Sequence, residues 1–276
     1  MKNDSLYYLA AAVLIAGWVL TPVKTHAAKN QNLSVNFSGN SEHCSDLKAT
    51  SDGEIAQATE AFTLQKSEAP ILEMVGMDKA VLHVRGWDRA EYSIEACKIA
   101  VADNRAAAEQ MVRGISVTRR AGQISSTGPG GDDGNWQVYF IVHAPKDANL
   151  NLETRNGPVS VSGVNGNVKL RALNGPVSVN DCAGMVDAQT TNGPISFNGG
   201  GGEVQLNAQN GPISLNLKGE VWQGTKLEAH TVNGPVSLNI PDSFRSGVRL
   251  ETSGHSPVSC KEQDSACRGR GPFKIH

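Results

Sequence analysis

The sequence predicts an all-β protein: a right-handed parallel β-solenoid of about 18 residues per coil, preceded by an N-terminal β region carrying one short helix. Three observations lead there. A five-residue unit, Asn-Gly-Pro-(Val/Ile)-Ser, recurs at near-constant spacing through the C-terminal half. The residues around each copy alternate between apolar and polar with the strand period of two. The 276 residues include 29 glycines but only 5% aromatics, which suits thin, regular β structure better than a thick globular core.

Asn156-Gly-Pro-Val-Ser returns at Asn174, at Asn192 with Ile195, at Asn210 with Ile213, and at Asn233; His255-Ser-Pro-Val-Ser is a degenerate sixth copy. The first three steps are 18 residues, and the next two are 23 and 22. Equal spacing marks coils stacked on copies of themselves. Aligned on the Asn, the apolar columns stand out. Leu150, Val168, Val186, Val204 and Leu227 lie six positions before it, and Leu152, Leu170, Ala188, Leu206 and Ala229 four before. Two before, the column narrows to Thr154, Ala172, Thr190, Ala208 and Thr231. Past the turn come Val159, Val177, Ile195, Ile213 and Val236, then Val161, Val179, Phe197, Leu215 and Leu238.

Each coil therefore holds two short strands. Asn-Gly-Pro forms one corner, and a turn near Gly166, Gly184 or Gly202 forms the other. Identical columns stack only if neighbouring coils run parallel, about 4.8 Å apart. The cross-section has two or three faces. At the corner, Asn tolerates left-handed dihedrals, Gly supplies them freely, and Pro starts a strand where no donor is required. Asn156, Asn174, Asn192, Asn210 and Asn233 then stack as an amide ladder, whose expected role is structural, capping backbone groups at the corner.

Four segments are expected: residues 1–27, 28–66, 67–149 and 150–276. Lys2, the apolar run Leu6 to Leu20 and Thr25-His-Ala27 read as a cleaved secretory signal over 1–27. The apolar run is shorter than the roughly 20 residues a membrane-spanning helix needs. Residues 28–66 read as a polar, Ser/Asn-rich lead-in. Residues 67–149 read as an N-terminal β region, with strands near Ile115–Arg119 and Trp136–His143. Its short helix falls near 103–113, capped by Asp103 or Asn104, braced by Glu109 with Arg113, and stopped at Gly114. Residues 150–276 hold the solenoid and its C-terminal cap.

All five cysteines follow the signal, where disulfides persist. Cys260 and Cys267 flank a short polar loop and form the first expected bridge. Cys44 with Cys97 is the second, which leaves Cys182 odd. No C-x-x-C and no close His pair favours a zinc site.

The chain resembles the bacterial "putative adhesin" domain of unknown function, a family of secreted or membrane-tethered β-solenoid proteins. The residues that carry the resemblance are Val84-Arg-Gly-Trp-Asp88, Ala144-Pro145, the Thr-x-Asn-Gly-Pro-(Val/Ile)-Ser coils and Leu238-Asn-Ile-Pro-Asp242, spread over residues 60 to 260. It implies a right-handed solenoid and a bacterial envelope address, periplasmic or on the cell surface. It offers no active site to carry over.

Chemistry is sparse. A polysaccharide-acting solenoid needs paired carboxylates or a calcium cluster on one face. Glu153, Asp181, Asp187, Glu203, Glu220 and Glu228 do not recur at the coil spacing. Gly199 to Glu203 lacks the repeated acid of a calcium-binding β-roll. His83, His143, His230 and His255 are dispersed. The net charge of -2 draws the chain neither to nucleic acid nor to an anionic membrane. No enzyme activity, cofactor, metal or membrane span after signal cleavage is expected. What recurs is the outward column Ser160, Ser178, Ser196, Ser214 and Ser237, a hydroxyl strip suited to envelope glycan or to another protein. An adhesin-like binding module is the first functional expectation, and a structural or assembly protein the second.

Overall fold

The computed structural model describes residues 32–36, 41–130 and 135–246. The expected signal, the sixth repeat unit and the Cys260–Cys267 pair lie outside these residues. Strands β1 (Leu33–Asn36) and β2 (Lys48–Ser51) form a small antiparallel pair. Then come β3 (Glu54–Gln65), β4 (Ile71–Met77), β5 (Ala80–Trp87), β6 (Glu91–Ala102), helix α1 (Arg105–Gly114), β7 (Ser116–Arg120), β8 (Gln123–Thr127) and β9 (Trp136–Pro145). The repeat supplies β10 (Asn149–Asn156), β11 (Val159–Ser162), β12 (Val168–Asn174), β13 (Val177–Asn180), β14 (Met185–Asn192), β15 (Ile195–Gly199), β16 (Gly201–Asn210), β17 (Ile213–Leu217), β18 (Gln223–Asn233) and β19 (Val236–Asn239). The described protein is thus mostly β, with one helix and extensive parallel pairing.

Two large sheets divide these strands. One runs β18-β16-β14-β12-β10-β4-β8-β7, the other β19-β17-β15-β13-β11-β5-β9-β6-β3. The repeat strands alternate between sheets, so the chain changes sheet at every corner and the repeat has two faces. Register follows the sequence period: Val168 opposes Val186, and Val177 opposes Ile195. Across the 23-residue step Val204 still opposes Leu227, because the extra residues are taken up between β17 and β18 and in a register shift near the start of β18.

The inward columns make one core. Val159, Val177, Ile195 and Ile213 are 0% exposed. Fully burying one such side chain contributes about 1.5–3 kcal/mol, so each coil adds several. Volume is balanced within the third coil, where the small Ala188 accompanies the large Phe197, both fully buried.

The corner glycines have a different reason from the one expected. No Asn of the Asn-Gly-Pro corners has a positive φ, and of the described glycines in those corners only Gly157 does. What demands glycine is close approach between coils. A Cβ on Gly175, Gly193 or Gly211 would lie 2.2, 2.2 or 2.0 Å from the carbonyl oxygen of the glycine one coil earlier. Backbone bonds hold the coils at that distance, with Gly175 N donating to Asn192 O and Val177 N to Pro194 O.

The N-terminal region contains a coil that the sequence reading missed. β4 and β5 pair in parallel with β10 and β11, setting Leu72 against Leu150, Met74 against Leu152, Leu82 against Val159 and Val84 against Val161. Ala80 stands beside the first corner, its carbonyl 2.1 Å from a Cβ placed on Gly157. No Asn-Gly-Pro marks this coil, and a register shift in the β4–β10 pairing disguises its spacing. β8 and β9 then run parallel to β4 and β5 on the far side. The chain therefore passes over its own earlier coil before the regular repeat begins. Antiparallel β6, β3 and β7 close this end, and the buried Ala108 and Val112 of α1 join the core.

Asn104 caps α1 by accepting from Ala107 N. Glu109 pairs with Arg105 at 2.8 Å rather than with Arg113, one helical turn toward the N-terminus instead of the C-terminus. The expected polar lead-in, 28–66, contains β1, β2 and the 12-residue β3. β3 is an edge strand whose alternation is blurred by Gln57, Thr59, Glu60 and Thr63. Such polarity protects an exposed edge but hides the strand from a hydrophobic pattern.

Candidate functional site

Ser160, Ser178, Ser196, Ser214 and Ser237 lie in one register-locked column on the outer face of the nine-stranded sheet. Their neighbours on either side point into the core, so strand alternation alone turns the hydroxyls outward. Ser196 Oγ donates to Ser178 Oγ at 3.0 Å, and Ser237 Oγ to Ser214 Oγ at 3.2 Å. A hydroxyl has one donor and two acceptor positions, so lone pairs stay open to solvent along the column.

A second column, which the sequence reading missed, stands two residues on: Ser162, Asn180, Asn198, Asn216 and Asn239. The signal was present, a short polar residue two places after every repeat serine. Together the columns make a flat, uncharged strip across five strands. Its flank carries one ion pair, Lys218 with Asp181 at 2.7 Å.

The strip ends against an ionic border. His83 opposes Ser160 and Arg85 opposes Ser162, while His143 opposes Arg85 on the next strand. Burial holds the His83 imidazole down to about 4, helped by the charges of Arg85 and His143. Arg85 pairs with Glu42, and Trp87 stacks on His143 with ring centroids 5.1 Å apart. Beyond the border the N-terminal segment covers the sheet. Leu33, Val35 and Leu47 pack there with Val81, Tyr139 and Ile141 in a second apolar cluster. The Cys44–Cys97 disulfide, Cα atoms 5.4 Å apart, ties the cover to β6. Cys44 N also donates to Glu95 Oε2 at 2.9 Å, and His43 Nδ1 lies 2.7 Å from Glu95 Oε1, which raises the histidine's pKa.

The corner amides bond to one another rather than to backbone. Asn174, Asn192, Asn210 and Asn233 each donate Nδ2 to the Oδ1 of the Asn one coil earlier, at 2.8–2.9 Å. Asn156 ends the series on the Asp78 carboxylate at 2.9 Å. Every amide points the same way, so a carboxylate with no proton to donate is a fitting terminus. The inward threonines take up the corner carbonyls instead: Thr190 Oγ1 donates to Gly175 O at 3.1 Å and Thr231 Oγ1 to Gly211 O at 2.9 Å.

Cys182 is a free, buried thiol whose pKa burial raises to about 11, which keeps it protonated and unreactive at neutral pH. Among the described residues no group of three or more His, Cys, Asp or Glu side chains is placed to hold a metal ion. Nor is any described helix long and apolar enough to cross a membrane.

Fold and faces define a class: an all-β protein whose parallel strands stack one repeat on the next and present regular polar columns outside. No family model matches the chain, and no curated protein matches it. One solved structure is similar at a distance, a putative cell adhesion protein from Clostridium sporogenes. The two are 9% identical with a TM-score of 0.36, over 67% of this chain and 99% of the other.

Proposed function

We propose that this is a non-catalytic, exported envelope protein: an adhesin-like binding module, built as a right-handed β-solenoid, that makes its contacts through the strip of serines and asparagines. The observation that carries the reading is the strip itself. Two polar columns repeat without a charge over five strands, while among the described residues no acid, base or metal-ligand column does so. Right-handedness rests on the strong preference of parallel crossovers for that hand. Export rests on the signal-like N-terminus and on the Cys44–Cys97 disulfide, which persists only in an oxidising compartment. A face presenting one hydroxyl about every 4.8 Å suits many weak contacts that gain by repetition.

The test places Ser178→Lys and Ser214→Lys together, two strands apart so that the new charges stand roughly a Debye length from each other. The double variant should keep its circular dichroism and melting temperature yet lose attachment to cells or isolated envelope. Undiminished attachment would remove the strip from consideration, and cleavage of an envelope polymer by the purified protein would overturn the non-catalytic assignment.

A structural or assembly role is the second reading. β18 and β19 are the last described strands of the two sheets, and Val236 there is 41% exposed. Equilibrium sedimentation separates the readings, since assembly through that end requires self-association.

A further inference from the structure

The outer face of the other, eight-stranded sheet is not flat. It carries a groove of about 710 Å³ that crosses β10, β12, β14, β16 and β18. The floor is the backbone of Thr154, Ala172, Thr190 and Ala208, whose side chains are turned into the core, and it lies between two rows of outward side chains. One row is Glu153, Arg171, Gln189, Asn207 and His230, in direct register from strand to strand. The other includes Leu173, Gln209 and Val232. The groove therefore runs along the stacking axis, across the strands, and offers a new set of polar groups about every 4.8 Å.

We propose that this groove is a binding site for a linear anionic glycan, lying along the axis with about one sugar per strand. Three features select that class. First, Gln189, Asn207 and Gln209 each present a donor and an acceptor, the complement of a hydroxyl that does both. Second, the charge collects at one end. Among the lining residues Arg155, Lys169 and Arg171 outnumber the single carboxylate of Glu153. Arg171 is already held by Asp187 at 2.6 Å and Arg155 lies 3.9 Å from Asp78, whereas Lys169 makes no ion pair with any described residue and is exposed. Lys169 is the group that meets a sugar carboxylate. Third, Leu173 and Val232, 42% and 63% exposed, offer apolar contact to the C–H faces of a pyranose.

The same geometry disfavours other polymers. An extended peptide adds to a sheet at its edge, and this groove exposes a sheet face instead. Single-stranded nucleic acid needs aromatic platforms, and no Trp, Tyr or Phe lines the groove. Without ring stacking, hydrogen bonds and charge carry recognition, so binding must weaken steeply with salt. The site lies on the opposite sheet from the serine strip and is independent of the function assigned to it.

The experiment titrates the full-length protein with polygalacturonate, a neutral linear β-glucan and poly-glutamate by calorimetry at low and moderate salt. Polygalacturonate should bind best, with affinity falling at least tenfold over that salt range. Lys169→Glu with Gln189→Leu should lower affinity at least tenfold without changing melting temperature, Lys169→Arg should retain it, and the Ser178→Lys/Ser214→Lys pair should bind at least as well as the parent. Failure to bind either glycan overturns the proposal. So does equal or tighter binding of poly-glutamate, a preference for the neutral glucan, or full affinity in the Lys169→Glu/Gln189→Leu protein. Loss confined to the serine variant would credit the strip instead.

Discussion

Gly193→Ala tests how the coils are held together. The new Cβ would fall 2.2 Å from Gly175 O and 2.6 Å from its carbonyl carbon. Ordinary contact begins more than an ångström further out, so the two corners must part. Neither is free to move. Gly193 N donates to Asn210 O and Ile195 N to Pro212 O, each at 3.0 Å, and Gly175 N and Val177 N make the matching bonds one coil earlier. Overpacking costs about 1–3 kcal/mol, and weakening two corner hydrogen bonds costs about 1 kcal/mol each. The expected destabilisation is therefore about 3–5 kcal/mol, a fall in melting temperature of about 6–20 °C for a domain of this size. Thermal and urea unfolding followed by circular dichroism measure it. Gly130→Ala is the control, since a Cβ there meets nothing within 4 Å. Gly193→Asn decides the cause. Asn tolerates left-handed dihedrals but still carries a Cβ, so it should be as damaging as Ala. A Gly193→Asn protein that melts like the parent would refute the close-approach argument.

Ile195→Asp buries a carboxylate at a fully enclosed position and should cost several kcal/mol, enough to abolish the cooperative melt of the repeat. Reducing or mutating the Cys44–Cys97 bridge, 53 residues apart in sequence, should cost about 4 kcal/mol on the chain-entropy model and should speed proteolysis of the N-terminal cover. For His83 the folded pKa of about 4 lies below the ordinary value of about 6.5, so folding favours the neutral ring. Its contribution is fully present above pH 6.5 and is lost, up to about 3 kcal/mol, as pH falls toward 4. In His83→Leu the stability slope should flatten between those limits, and an unchanged slope would mean that the ring does not titrate as argued. His43, raised by Glu95, acts in the opposite direction but is exposed and screened.

The strand period, the inward columns and the outward serines were legible in the sequence because each follows from local alternation, and alternation needs no knowledge of distant partners. Equal spacing then made parallel stacking the natural arrangement. Other features depended on contacts that leave no local trace. Leu72 to Trp87 form a coil only because β10 and β11 accept them as neighbours. Polar β3 is a strand because β6 offers it an edge, and Leu33, Val35 and Leu47 cover a sheet face that also looks exposed by its pattern. The corner glycines show the distinction most directly. Asn-Gly-Pro announces a turn whichever way its glycine is used, and turn chemistry alone points to the dihedral explanation. Only the stacked structure brings Gly175 O within 2.2 Å of the place a side chain would occupy on Gly193. That distance belongs to two coils rather than to one, and this is why tertiary structure alone could decide it.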